Sequence, residues 1–278
     1  MNSAPRLPTS RPDQVQLFPP QLKRNRQVFF AALLTSLVFL FSFASHASAE
    51  ENAAAPVEIS IPNIPVPAAV EATPKPHDFN EDIYYRNKLE LSTEFGVLPI
   101  NIPFVFDVFV DNDYSQKPLH YTLVPTLESV RWHVDGIEGP WILRGNFDVT
   151  ATLGVTAIPR GPESHYVAFI LGARRNFVPR NSRIAAYFDY RMGVGNIDAQ
   201  EPHGVKYAQG QDLTFTLMMG SGARYNFNPK YSATAGFNYM HVSNLYLSEP
   251  KYPNNGINVW GPWIGFNMRL GRPKQKSS

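Results

Sequence analysis

From about Asn87 onward, apolar and polar residues alternate with a period of two, which is the pattern of strands with one greasy and one polar face. Leu89, Leu91, Thr93, Phe95 and Val97 stand opposite Lys88, Glu90, Ser92 and Glu94. The second run, 120–135, is less regular: Pro125 interrupts it, and the apolar set changes phase between Leu127 and Val130, which predicts a bulge. In the third, Trp141, Leu143, Phe147, Val149, Ala151 and Leu153 oppose Arg144, Asn146, Asp148, Thr150 and Thr152. The fourth sets Val167, Phe169, Leu171 and Ala173 against Tyr166, Gly172 and Arg174. In the fifth, Ile184, Ala186, Phe188, Tyr190, Met192 and Val194 oppose Arg183, Asp189 and Arg191. The sixth sets Leu213, Phe215, Leu217 and Met219 against Asp212, Thr214, Thr216 and Arg224. A final pair follows, 231–243 and a strand ending near Leu270. About eight strands of this kind predict an all-β fold, an eight-stranded antiparallel up-and-down barrel.

Periodicity does not say which face points inward. A lipocalin-like carrier would enclose its apolar face, and a membrane barrel would turn that face to lipid. Three features favour the membrane. The polar face carries both signs (Glu90, Glu94, Arg144, Asp148, Arg174, Asp189, Arg191, Arg224), which can pair inside a narrow lumen. Tight connections such as DGIEGP, NFVPRNS and NFNPK alternate with long ones near 98–119, 197–210 and 244–256, the asymmetry of outer-membrane barrels. Trp141, Tyr166, Tyr231, Trp260 and Trp263 fall at strand ends, where interfacial aromatic belts occur.

The N-terminus reads as an address. LKRNRQ supplies positive charge, 28–44 is apolar apart from Thr35, Ser36 and Ser42, and Ala47-Ser48-Ala49 fits a small-x-small cleavage site. The alternative is an uncleaved anchor, for which the apolar run is slightly short. The expected organisation is a signal peptide over 1–49, a Pro/Ala-rich linker over 50–86, the barrel over 87–271 and a basic tail over 272–278. The linker's prolines deny it regular hydrogen bonding, although contact with the periplasmic mouth of the barrel stays open. The absence of cysteine excludes disulfides, thiolate metal sites and lipoprotein attachment. Five basic residues and one acid precede residue 50, so the formal +2 of the chain becomes 20 basic against 22 acidic residues beyond it. Nothing in that balance points to nucleic acid.

Candidate chemistry gathers at one rim. On the seventh strand Tyr231, Ala233, Ala235, Phe237, Tyr239, His241 and Ser243 share a face; on the eighth Asn258 shares one with Trp260, Ile264, Phe266, Met268 and Leu270. With both chain ends in the periplasm, these polar groups would face the outer leaflet near its headgroups. His241 and Ser243, two apart, project to the same side, so an imidazole can serve as general base to a serine nucleophile. Asn258 could accept the other imidazole N–H as the third member of a triad, and Asn254 with backbone N–H groups could stabilise an oxyanion. By itself an H-x-S pair specifies little, since an interfacial His and Ser bonded to loop backbone fits as well. His120, His133, His165 and His203 lack metal-ligand spacing, and GVGN (193–196) and GSGA (220–223) lack the context of phosphate loops.

The segment His241-Val242-Ser243-Asn244, with Pro250, Asn254 and Gly256-Ile257-Asn258 before a terminal strand, resembles the signature of the PagL-like lipid A 3-O-deacylase (acyloxyacyl hydrolase) family. The likeness is strongest over 225–270 and looser back to about residue 87. It implies an eight-stranded outer-membrane barrel that hydrolyses the acyl ester at the 3 position of lipid A, without a cofactor. It further implies Ser243 as nucleophile, His241 as base, Asn254 as an oxyanion contributor and Asn244 as a supporting residue. The partners implied are lipopolysaccharide and the outer membrane, and a homodimer is compatible with the sequence. One position departs: the best-known members carry glutamate where this chain has Asn258. An amide can orient the imidazole but does not stabilise the imidazolium by charge, and in serine proteases that exchange costs about 10⁴ in turnover. From the sequence, three outcomes stay open: a slow enzyme, one that uses Glu249 as orienter, or a non-enzymatic barrel that has kept the shape and lost the reaction.

Overall fold

The computed structural model describes residues 77–104, 119–201, 203, 205 and 207–271. The expected signal peptide, most of the Pro/Ala-rich segment and the basic tail lie outside the described residues. Nine strands follow in order: β1 (Leu89–Gly96), β2 (Ile100–Asn101), β3 (Thr122–His133), β4 (Gly145–Arg160), β5 (His165–Phe177), β6 (Ile184–Ile197), β7 (Leu213–Asn226), β8 (Tyr231–Ser243) and β9 (Ile257–Leu270). Each long strand pairs antiparallel with the next, and β9 returns to β1, so the sheet closes on itself. The two-residue β2 continues β1 along the same neighbour, with Ile100 opposite Trp260. The fold is therefore an eight-stranded up-and-down β-barrel. Among the described residues no helix is long and apolar enough to cross a membrane.

The polar face is inside. Lys88, Glu90, Ser92 and Glu94 are buried, whereas Leu89, Leu91 and Phe95 are exposed. Toward the end where β1 begins the lumen is ionic. Glu94 lies 2.9 Å from Arg174, 2.5 Å from Arg191 and 3.6 Å from Arg131, and Glu90 lies 2.6 Å from both Lys88 and Arg224. Charges taken out of water survive only when paired in this way. Outside runs a band that includes Leu153, Val155, Phe169, Leu171, Phe188 and Ile264, all exposed. An apolar belt of that extent belongs in a bilayer. It is interrupted at Glu128, which accepts a hydrogen bond from Thr93 Oγ1 at 2.8 Å.

Toward the long loops the lumen changes character. Leu123, Leu127, Tyr166, Ile170, Met240, Val259 and Trp263 pack there as an apolar core. This accounts for two departures from the sequence reading, and a third has a separate, local cause. Burial alternates without a break along β3, with Leu127 inside and Val130 outside, so the phase change marks the apolar half of the lumen and not a bulge. The register shift of β3 against β4 falls between Thr122 and Val124 instead. Tyr166 and Trp263, 1% and 2% exposed, point into this core and are not belt residues. Trp141 and Leu143, read as part of the third run, form an exposed 3-10 turn before β4.

The short turns 134–144, 178–183 and 227–230 share the end where β1 begins and β9 finishes, and the long connections are at the other. At the short-turn end, residues 78–84 close the mouth. Ile83 and Tyr84 pack on Val178 and Ala185, and Asn80 donates to the carbonyl of Pro179 at 2.9 Å. Arg144 reaches Asp78 at 2.7 Å, and Asn226 donates to the Tyr84 hydroxyl at 3.0 Å.

Candidate active site

Strands β8 and β9 pair with His241 opposite Asn258, and β7 lies on the other side with Leu217 opposite His241 and Phe215 opposite Ser243. Phe237, four residues before His241 on the same face, is exposed on the outside of the barrel, so His241 and Ser243 are on the outer wall and not in the lumen. The three residues expected to act together are in contact. His241 Nε2 is 3.0 Å from Ser243 Oγ, and His241 Nδ1 is 2.8 Å from Asn258 Oδ1.

The orientation of the Asn258 amide settles the proton positions. Its Nδ2 donates to the carbonyl of Gly256 at 3.0 Å, and a carbonyl can only accept. The oxygen end therefore faces the imidazole. It also accepts a hydrogen bond from the Tyr239 hydroxyl at 2.6 Å. Nδ1 must then carry the imidazole hydrogen, which leaves the Nε2 lone pair facing the Ser243 hydroxyl. Nδ1 is thus held by Asn258.

A rim open to headgroups was expected, and here the structure differs. His241 and Ser243 are only 5% and 1% exposed. The chain beyond β2 covers the imidazole: Ile102 N–H donates to the carbonyl of Asn258 at 3.1 Å, and the Phe104 ring lies 4.3 Å from the imidazole, centroid to centroid. From the loop side, Gly256 approaches so closely that an added Cβ would stand 2.9 Å from His241 Cε1.

Asn244 organises the loop after β8. Its backbone N–H donates to Asn254 Oδ1 at 3.2 Å, its Nδ2 donates to Ser248 Oγ at 2.7 Å, and its Oδ1 accepts from Tyr246 N–H at 3.0 Å. Asn254 is thereby brought beside the residue that follows Ser243, with its side-chain oxygen accepting that bond. Tyr239 and Phe104 had no role in the sequence reading. The first was legible as a polar group two residues before His241 on the same face; the second carries no local signal, because its contact crosses the fold.

A family model described as lipid A 3-O-deacylase (PagL) matches residues 124–267, more than half of the chain. Among solved structures, the barrel is similar to the outer membrane enzyme PagL, at 15% identity over 65% of this chain and 99% of that one, with a TM-score of 0.41. It is also similar to Neisserial surface protein A, at 10% identity over 66% and 97% with a TM-score of 0.42. The outer membrane protein OprG from Pseudomonas aeruginosa follows, at 9% identity over 69% and 99% with a TM-score of 0.34. No curated protein sequence matches the chain.

Proposed function

The chain belongs to the PagL lipid A 3-O-deacylase family, and from that premise we propose that it is an outer-membrane serine esterase that removes the acyl chain ester-linked at the 3 position of lipid A. The observation that carries this reading is the approach of His241 Nε2 to Ser243 Oγ, 3.0 Å, while Asn258 holds Nδ1. The short-turn end, where β1 begins and β9 finishes, faces the periplasm, and the long loops face outward. The site then sits on the lipid side of the barrel in the outer leaflet, where lipopolysaccharide places its acyl esters.

In the proposed reaction Ser243 Oγ attacks the ester carbonyl carbon as His241 Nε2 takes its proton. Asn254, through its amide N–H, meets the charge that develops on the carbonyl oxygen. Collapse of the tetrahedral intermediate breaks the carbon–oxygen bond to the sugar, and the imidazolium returns the proton to the departing 3-hydroxyl oxygen. Water, deprotonated by the same imidazole, then attacks the acyl-serine carbonyl; the bond to Ser243 Oγ breaks, the imidazolium returns its proton to that oxygen, and the fatty acid is released. Asn258 fixes the tautomer throughout, and Asn244 holds Asn254 in reach. The scheme uses no cofactor. Entry of an ester requires the segment bearing Phe104 to lift from the imidazole, because both reacting side chains are covered.

Mass spectrometry of lipid A from cells that express the chain tests the proposal. Loss of the 3-linked acyl mass is expected with the intact chain and not with Ser243→Ala; unchanged acylation in both rejects the activity. The neutral amide at position 258 favours a second reading, a catalytically degenerate lipid-binding barrel, for which neither the chain nor its Asn258→Glu variant deacylates lipid A.

A further inference from the structure

Asn258 can face His241 in two ways, and only one of them leaves a usable base. With the amide oxygen toward Nδ1, the imidazole carries its proton there and Nε2 is free to accept from Ser243. With the amide nitrogen toward Nδ1, the proton moves to Nε2, and the ring presents a hydrogen to the serine hydroxyl, which it cannot then deprotonate. A glutamate at this position has no wrong end. A chain that uses an asparagine needs something to hold it the right way round.

Two groups hold it here. The carbonyl of Gly256 accepts from Asn258 Nδ2 at 3.0 Å, and the hydroxyl of Tyr239 donates to Asn258 Oδ1 at 2.6 Å. Tyr239 lies two residues before His241 on the outer face of β8, opposite Trp260 in the register, so it reaches Asn258 along the diagonal between the strands. Its side chain is 4% exposed, out of competition with bulk water. We infer that Tyr239 is a positioning residue for the esterase proposed above, holding the Asn258 amide so that its oxygen faces His241. Two donors on one oxygen compete with rather than reinforce each other, so the phenol contributes orientation and not charge.

The inference rests on the esterase reading for its functional consequence, and the test separates the two. Full-length chain in detergent micelles is assayed on purified lipopolysaccharide as wild type, Tyr239→Phe, Asn258→Glu and the double variant. Tyr239→Phe should lower kcat about tenfold, the share of one hydrogen bond, with KM unchanged. In the Asn258→Glu background the same substitution should have little effect, because a carboxylate has no donor end to misplace. Equal losses in both backgrounds would mean that Tyr239 only packs, and would overturn the inference. A second readout does not need turnover. In ¹⁵N-histidine spectra, with the His241 signals identified by their loss in His241→Gln, the wild type should show the Nδ1–H tautomer and Tyr239→Phe a shift toward Nε2–H. An unchanged tautomer overturns the inference. A shifted tautomer in a chain that never deacylates lipid A upholds the positioning role and sinks the esterase reading.

Discussion

Asn258 presents its carbonyl oxygen to His241, at 2.8 Å from Nδ1, and keeps its amide nitrogen on the carbonyl of Gly256. The arrangement reproduces the orienting half of what an acid does in a serine triad and omits the electrostatic half. In the proposed reaction the imidazolium would meet a dipole where a glutamate would offer a charge.

Substitution at this position should therefore move activity in both directions. Asn258→Glu should raise kcat by about tenfold, since a charge-assisted hydrogen bond exceeds a neutral one by roughly 1–2 kcal/mol. Asn258→Ala, which removes the orienter, should lower it by about 10² or more, the scale of general-base assistance. Fatty acid release from lipopolysaccharide micelles measures both.

Gly256 is a second sensitive point. A Cβ there would stand 2.9 Å from His241 Cε1 and 3.5 Å from Nδ1, so Gly256→Ala should push the imidazole off the line to Ser243. Misplacement of a reacting group by ~1 Å can cost ~10² in rate. The expected result is a fall in kcat with little change in the thermal unfolding of the barrel.

The hairpin that carries this chemistry was legible because side-chain parity is strict along strands: His241, Ser243 and Asn258 had to share one face once β8 and β9 were paired. Parity also separated the two faces of the wall, and the paired charges and loop lengths turned the apolar one to lipid. What failed was the assumption that one face keeps one polarity from end to end. The lumen is ionic around Glu90 and Glu94 and apolar around Leu127, Tyr166 and Trp263, so inward residues of the second half looked like outward ones. Trp141 and Leu143 continued an alternating pattern in the letters, but the chain winds into a tight turn there. The cover over the site, Phe104 on His241, is a contact between distant stretches, and no local period encodes it.

Adjacent residues in the β1–β3 pairing make a contrasting pair for stability. Glu94 faces inward among Arg131, Arg174 and Arg191, while Glu128, opposite Thr93, faces the outer band. Glu94→Gln removes the charge that three buried guanidinium groups share and should destabilise the barrel by about 3–5 kcal/mol. Glu128→Leu replaces a carboxylate in a lipid-facing wall and should stabilise it by roughly 1 kcal/mol in a bilayer. Urea unfolding in phospholipid vesicles reads both, and opposite signs are the expected outcome.

The plug at the short-turn end carries a pH dependence whose sign follows from Asp78. Burial by itself raises this carboxyl's pKa, but the backbone N–H groups of Asn80 and Asn181, at 3.0 and 3.1 Å, and Arg144 at 2.7 Å pull it below its ordinary 3.8. A carboxyl held lower in the folded state binds fewer protons there than in the unfolded chain, so its contribution is fully present above 3.8 and is lost as pH falls through the depressed value. The plug should thus stay closed at neutral and mildly acidic pH and loosen only in stronger acid. Asp78→Asn should loosen it at neutral pH, because the amide removes the charge that Arg144 and the two N–H groups hold. Limited proteolysis follows this directly: cleavage after Tyr84 or Tyr85 should be slow in the wild type at pH 7 and fast in Asp78→Asn, while the eight barrel strands stay intact in both. Equal protection of the two proteins at pH 7 would show that Ile83 and Tyr84, packed on Val178 and Ala185, hold the mouth shut by apolar contact alone.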